Sequence, residues 1–161
     1  MDDRMISIRW PDTPALVPLP LVRDGEHDSD PLAELLLSGA ANAAWLVVDE
    51  RRGPIGWLVG RVVPLDGRSP GEVRRGLRAS DVLEDPDERI IQTHAGPALR
   101  LVQRFPQPFP ERGMVVATHA SWSWHVADSI AVLSTESMEA VNVEAVIAIV
   151  DQLAAIIRFD D

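Results

Sequence analysis

The final third of the sequence constrains the fold more than any other stretch. Residues 113–125 and 129–134 are rich in strand-forming side chains and are separated by a short turn, as in an antiparallel β-hairpin. Residues 142–159 then place Glu144, Asp151 and Arg158 on one stripe at helical spacing, with aliphatic side chains on the opposite side. This stretch predicts a strand–strand–helix unit whose helix buries its apolar side against a sheet.

Two earlier hairpins are predicted from their turn residues. Residues 43–49 and 55–64 flank a segment that contains Gly-Pro, and residues 89–94 and 98–105 flank a second Gly-Pro. Residues 105–110 contain three prolines and are predicted to form a connecting loop.

Two shorter helices are indicated by the residues that would begin them. Ser69, followed by proline and then by Glu72, has the pattern of a capping box and predicts a helix to about residue 79. Asp30, followed by proline, resembles a helix N-cap and predicts a short helix over residues 32–39.

The N-terminal segment is predicted to differ from the rest of the chain. Residues 1–28 are expected to form an extended, proline-rich segment that packs on the core or trails from it. Residues 5–10 are compatible with a first strand, and residues 11–20 contain four prolines, which favour extended backbone. No shift of composition divides the remainder, so residues 1–161 are predicted to form a single domain.

These elements together predict the α+β class. Strands joined by short turns form an antiparallel sheet, here of about six strands, and helices that are separate from the strands in sequence cover its faces. We therefore expect an α/β/α sandwich.

The composition excludes several kinds of chemistry. All 15 basic residues are arginine, so neither a Schiff base with pyridoxal phosphate nor a P-loop lysine can form. The chain has no cysteine, which excludes thiolate catalysis, disulfides and thiolate zinc sites, and it has no tyrosine. The net charge of -10 repels nucleic acid and anionic membrane surfaces. We expect no cofactor.

A cytoplasmic location is expected from the distribution of apolar residues. The first residues are charged and lack the apolar run of a secretory signal. The longest apolar stretch, residues 143–157, is interrupted by Glu144, Asp151 and Gln152 and is too short to span a membrane.

The strand over residues 113–125 contains the side chains most typical of a binding surface. Alternation places His119 and His125 on one face and Trp122 and Trp124 on the other. The two histidines lie about 20 Å apart at about 3.3 Å per residue, so they cannot share a metal ion, and no metal site is predicted. Packing or solvation accounts for these residues in one interpretation. In the other, Trp122, Trp124 and His125 form a contact surface for a partner or an apolar ligand.

Acidic residues are concentrated in two predicted loops. The first alternates acids from Asp24 to Asp30, but its sixth position is Ser29 rather than glycine, so it does not match a calcium loop. The second is expected to be solvated and is a candidate surface for a basic partner. Its acidic residues are Asp81, Glu84, Asp85, Asp87 and Glu88.

Other motifs do not predict catalysis. Gly53, Gly56 and Gly60 lie inside a predicted hairpin rather than before a helix, so they are not predicted to bind phosphate. No Gly-x-Ser-x-Gly or His-Glu-x-x-His sequence is present. An enzyme would have to use His94, His119 or His125 with a distant carboxylate.

One family resemblance rests on the order of the elements. It involves residues 44–49 and 56–63, the capped helix from Ser69, residues 98–102 and the block 115–159. In this order the chain resembles the Mog1/PsbP-like fold, in particular small actinobacterial proteins similar to the LpqN lipoproteins, although it lacks a lipobox cysteine. The resemblance implies a binding role as an adaptor or assembly factor and implies no individual site residue.

The expected function is therefore protein binding. We expect a non-enzymatic adaptor, chaperone or accessory factor whose partner is another protein, with self-association left open. The alternative is a domain that binds a small apolar ligand in a tryptophan-lined pocket.

Overall fold

The computed structural model describes residues 7–9, 13–19 and 43–160, and most of this part of the chain is β-structure. The predicted helix over residues 32–39 and the acidic loop between Asp24 and Asp30 lie outside the described residues. The elements in chain order are β1 Ser7–Arg9, β2 Leu16–Pro18, β3 Ala43–Asp49, β4 Gly53–Pro64, α1 Pro70–Arg75, β5 Asp87–Thr93, β6 Gly96–Phe109, β7 Gly113–Val126, β8 Ser129–Ser137, α2 Ala140–Ala154 and β9 Arg158–Asp160.

Seven strands form one antiparallel sheet in the order β2-β3-β4-β8-β7-β6-β5. β3 and β4 form one hairpin, and β5 to β8 form a meander that returns to β4. The segment that contains α1 connects β4 to the opposite edge of the sheet. A separate two-stranded pair joins β1 to β9.

The local predictions for turns and for one helix start are confirmed. All three predicted hairpins form, as β3–β4, β5–β6 and β7–β8. The capping box of α1 is present: the Ser69 hydroxyl accepts a hydrogen bond from the Glu72 amide, and the Glu72 carboxylate accepts one from the Ser69 amide. The helix itself ends at Arg75, earlier than predicted.

Helix α2 covers one face of the sheet, which we call the α2 face. Its apolar side chains pack on buried side chains of β3, β4, β7 and β8, and these residues form the main core. Each large side chain that is fully buried there contributes about 1.5–3 kcal/mol. The members contributed by α2 and the residues after it are Val146, Val150, Leu153, Ala154 and Ile157, and the large members from the sheet are Leu16, Trp45, Val47, Ile55, Leu58, Trp122, Trp124 and Leu133.

The opposite face, which we call the α1 face, has a smaller core. Val73 of α1 packs there against Ile130 and Val132 of β8, with Leu65 and Leu77 at the margin. The helix is only six residues long, so most of this face contacts no helix among the described residues.

The predicted α/β/α sandwich is therefore wrong. Of the described residues, 56% are in strands and 16% in helices, and the main sheet has seven strands rather than about six. Two local predictions also fail. Residues 105–109 continue β6 instead of forming a loop, and the last helix ends at Ala154, after which Arg158–Asp160 pairs with β1. In each case pairing with a distant strand outweighs the local signal.

Proline is tolerated in β6 because of its place in the sheet. β5 pairs with β6 only as far as Val102. Beyond it, Pro106 and Pro108 lie two and four positions after Arg104, so their backbone groups face the same side of β6 as those of Arg104. The carbonyl of Arg104 accepts a hydrogen bond from Leu83, outside the β6–β7 ladder. The missing N–H groups of the two prolines therefore face the open edge, where no ladder bond is lost.

Helix α2 lies so close to Gly56 of β4 that adding a single methyl group at this residue is expected to lower the stability of the protein. A Cβ atom at Gly56 would lie 2.9 Å from Cγ2 of Val146, so Gly56→Ala should lower the free energy of unfolding by about 1–3 kcal/mol. In a Val146→Ala background the same change should cost less, because the contacting methyl is gone. Denaturant unfolding of the four proteins measures the coupling.

Gly71→Ala is the matched control for this experiment. A Cβ atom there meets nothing closer than the Ser69 hydroxyl at 4.0 Å, so the change should be neutral or stabilising. An equal cost of Gly56→Ala in both backgrounds would contradict the proposed contact with α2.

Candidate functional site

The two tryptophans singled out from the sequence lie in the core. Trp122 and Trp124 are 0% and 1% exposed on the α2 face. The indole N–H of Trp122 donates to Asp151 at 2.8 Å, and that of Trp124 donates to the Thr93 hydroxyl at 3.0 Å. Trp124 also packs edge-on against Phe159, with ring centroids 5.3 Å apart. The structure thus places both indoles in packing roles, away from any surface that a partner could contact.

The acidic residues singled out between 81 and 88 fall into two groups. Asp87 and Glu88 begin β5 and are paired: Asp87 contacts Arg89 at 2.9 Å, and Glu88 forms an ion pair with Arg78. Asp81, Glu84 and Asp85 remain exposed in the loop, where Glu84 lies 3.6 Å from Arg104. All five acids are thus exposed, and of these five only Asp81 and Asp85 form no ion pair within the described residues.

The histidines do not converge on one another. His94 and His125 are exposed at the ends of β5 and β7, whereas His119 is partly buried in the middle of β7 on the α1 face. Within the described ranges, no three His, Asp or Glu side chains are grouped so that they could hold a metal ion.

His119 lies in a buried polar network that sequence patterns did not reveal. Gln103 is buried, and its amide nitrogen lies 3.3 Å from Nδ1 of His119 while also donating to the Leu77 carbonyl at 2.8 Å. The Gln103 amide oxygen accepts from the Ala79 amide at 2.8 Å, so this side chain attaches the segment after α1 to the sheet.

Electrostatics keep His119 neutral near pH 7. Burial, followed by the nearby Arg61 guanidinium, lowers the pKa of His119 from 6.5 to about 4. Its cross-strand neighbour is Glu136, and burial raises the pKa of that carboxyl. An imidazole of such low basicity is poorly matched to proton transfer near neutral pH.

Exposed apolar side chains are found at the end of the β6–β7 hairpin, residues 105–117, which we call the arm. Beyond Val102, β6 has no β5 partner, and before Thr118, β7 has no β8 partner. The arm is thus a two-stranded ribbon that extends past its neighbours. The available signal was the run of strand-forming apolar residues from Met114 to Ala117 and the two phenylalanines at 105 and 109, and the prolines between them concealed it.

The arm presents large apolar side chains to solvent. Phe109, Met114 and Val116 are 37%, 64% and 49% exposed, and the Arg112 guanidinium lies 5.6 Å from the centre of the Phe109 ring. Met114 and Val116 are two positions apart in β7, so they lie on the same face of the ribbon.

The acidic loop runs beside the base of the arm. The Leu83 amide donates to the Arg104 carbonyl at 2.9 Å, and this places an exposed leucine next to the start of the arm. The exposed acids Asp81, Glu84 and Asp85 flank that leucine in sequence.

Two cavities in the described part of the chain are lined by residues outside the arm and outside the loop over residues 81–86. One, of about 300 Å³, lies between α1 and strands β5–β7, and the other, of about 480 Å³, lies near the β3–β4 turn and α2. Neither of these two cavities is lined by a tryptophan.

Comparisons with known proteins add no support to the resemblance to the Mog1/PsbP-like fold, which is based on the predicted order of the elements alone. No protein-family model matches the chain, and no curated protein sequence matches it. No helix in the described part of the chain is long and apolar enough to cross a membrane.

The lowered pKa of His119 predicts a pH-dependent stability. The unfolded chain binds a proton at this residue near pH 6.5 and the folded chain only near pH 4, so stability is present above 6.5 and is lost as the pH falls to about 4. The loss is about 3 kcal/mol at most. His119→Asn keeps an acceptor for Gln103 but cannot titrate, and it should flatten this dependence.

Denaturant unfolding between pH 7 and pH 4 measures the effect, with the exposed His125→Asn as control. Glu136 acts in the opposite direction because its pKa is raised, and it is present in all three proteins, so the difference between variants isolates His119. Identical pH profiles for wild type and His119→Asn would contradict the assignment.

Proposed function

We propose that the protein is a non-enzymatic adaptor or accessory factor that binds another protein through the arm and the adjoining acidic loop. The observation that supports this proposal is the projection of the arm beyond the sheet with exposed apolar side chains on both of its strands. The partner would present an apolar strip flanked by basic side chains.

Apolar exposure favours a macromolecular contact. Burial of large exposed side chains such as Met114 and Val116 in an interface would stabilise a complex by about 25 cal/mol per Å² of apolar surface. These two side chains lie next to each other on one face of the ribbon, while Phe109, which pairs with Gly113, lies on the other face, and neighbouring exposed apolar side chains are typical of interaction sites.

The backbone of the arm supplies a second means of recognition. Within the described residues, each strand of the arm is paired on one side only. The open edge of β6 lacks N–H groups at Pro106 and Pro108, whereas the open edge of β7 presents both N–H and C=O groups. An extended segment of a partner can pair with such an edge, with main-chain hydrogen bonds for affinity and alternate side chains for specificity.

Charge favours a basic partner. Asp81, Glu84 and Asp85 lie in the loop that contacts the base of the arm through Leu83 and Arg104, and the whole chain has a net charge of -10. Complementary charge accelerates association and selects among partners, although rim charges add little to affinity.

The docking surface proposed here differs from the one expected from the sequence. It keeps Asp81, Glu84 and Asp85 but omits Trp122 and Trp124, which are buried. It also omits His125, which lies near the end of β7 away from the arm. The alternative function, binding of an apolar ligand in a tryptophan-lined pocket, is not supported by either cavity described above, because no tryptophan lines them.

Site-specific photo-cross-linking in the source cells tests the proposal. A cross-linking residue at position 116 should capture one stoichiometric partner, whereas the same residue at position 156 should not. Position 156 is a matched control for position 116, since Val116 and Ile156 are both aliphatic and both 49% exposed.

Variants then measure the contribution of each surface. Val116→Glu should weaken binding of the purified partner at least about tenfold, because it buries an unpaired charge in the interface, whereas Ile156→Glu should not. Both should leave thermal stability within about 0.5 kcal/mol of wild type, since both sites are exposed. Capture of the same proteins at both positions, or capture only of a second copy of this chain, would overturn the proposal.

A further inference from the structure

The cavity between α1 and strands β5–β7 has a charge opposite to that of the whole protein. Three arginines and one glutamate line it, so its charged residues sum to +2 in a chain of net charge -10. The charged residues are Arg74, Arg75, Arg78 and Glu88. Its volume, about 300 Å³, is at the lower end of the range for small-molecule sites.

Two of these arginines are available to an anion. Arg78 is paired with Glu88, but neither Arg74 nor Arg75 forms an ion pair with any carboxylate of the described residues. Arg75 is exposed at the cavity wall.

Arg74 is held in place by the sheet. Its Nε donates to the Ser123 hydroxyl at 3.0 Å, and a terminal nitrogen donates to the Ser123 carbonyl at 3.1 Å. These bonds leave further N–H groups of the same guanidinium free to bind a ligand, in a fork whose orientation is set before binding.

A buried hydroxyl in the lining points to the same kind of ligand. Ser121 is 1% exposed, and its Oγ has no hydrogen-bond partner within the part of the chain that the structure describes. Buried hydroxyls are normally hydrogen-bonded, and leaving one unpaired is costly. An acceptor oxygen brought in by a ligand would satisfy it.

The rest of the lining is apolar. Leu77, Ile90, Leu99 and Leu101 contribute to it, and Ile90 is largely exposed on the edge strand β5. A ligand with an oxyanion alone would leave this surface unused, whereas an attached hydrocarbon would cover it.

We propose that this cavity binds a small amphipathic anion, in which a carboxylate or phosphate contacts Arg74, Arg75 and Ser121 and a hydrocarbon body covers Ile90, Leu99 and Leu101. The site lies on the α1 face, apart from the arm, so it does not depend on the function proposed for the arm.

Calorimetric titration with four probes tests the ligand class. Octanoate and octyl phosphate, both below their micelle concentrations, separate the two head groups, while octanol lacks the charge and inorganic phosphate lacks the hydrocarbon. At least one of the first two should bind at least about tenfold more tightly than both octanol and phosphate. Failure of both amphipathic anions to bind, or equal binding of octanol or of inorganic phosphate, would overturn the proposal.

Three variants then locate the binding. Arg75→Gln should weaken it at least about tenfold, whereas Arg158→Gln, at an exposed arginine in β9, should not change it. Ser121→Ala should weaken it as well, yet leave the melting temperature of the free protein unchanged or higher, because a buried unpaired hydroxyl is removed. Binding that is insensitive to Arg75→Gln would place the anion elsewhere and refute the site.

Discussion

The contact of Asp151 with Trp122 and Arg100 is the interaction on which the packing of the sheet depends. Asp151, in α2, accepts the Trp122 indole N–H at 2.8 Å and pairs with Arg100 of β6 at 2.5 Å. It thereby joins α2 to the neighbouring strands β6 and β7. A fully buried indole needs a partner for its N–H, and a poorly solvated arginine needs a counter-charge. Helix α2 has no side-chain hydrogen bond at its N-cap, so packing of this kind, rather than capping, holds it on the sheet.

The position of α2 determines where the molecule can recognise anything else. With the indoles covered, the α2 face is largely occupied by core packing, and the two proposed surfaces lie on the α1 face and beyond the sheet's end. The six-residue α1 leaves a cavity beside it, and the 14-residue strands β6 and β7 extend past both neighbours. The lengths of β6 and β7 therefore determine the arm, and the short length of α1 determines the cavity. The two surfaces differ in chemistry: the arm is apolar with an acidic loop beside it, and the cavity has arginines above an apolar lining.

Sequence patterns were most successful where a few neighbouring residues suffice. The three hairpins follow from turn residues, and the capping box at Ser69 and Glu72 follows from hydrogen bonds within one helical turn. Alternation correctly separated Trp122 and Trp124 from the histidines but could not tell which face a helix would cover. The prolines at 106 and 108 favoured a loop, because their tolerance in β6 depends on an open edge that exists only beyond Val102, where pairing with β5 stops.

The candidate sites show the same division between local and long-range determinants. Composition alone excluded lysine and thiolate chemistry, and the acidic loop was visible as a cluster in the sequence. The low basicity of His119 and the arginine-lined cavity depend on residues distant in the chain. Local backbone preferences act over a few residues and can be read from their order. Burial, ion pairing and the free edge of a strand are set by whichever segments meet across the sheet, so only the folded arrangement decided which polar groups were paired and which remained available.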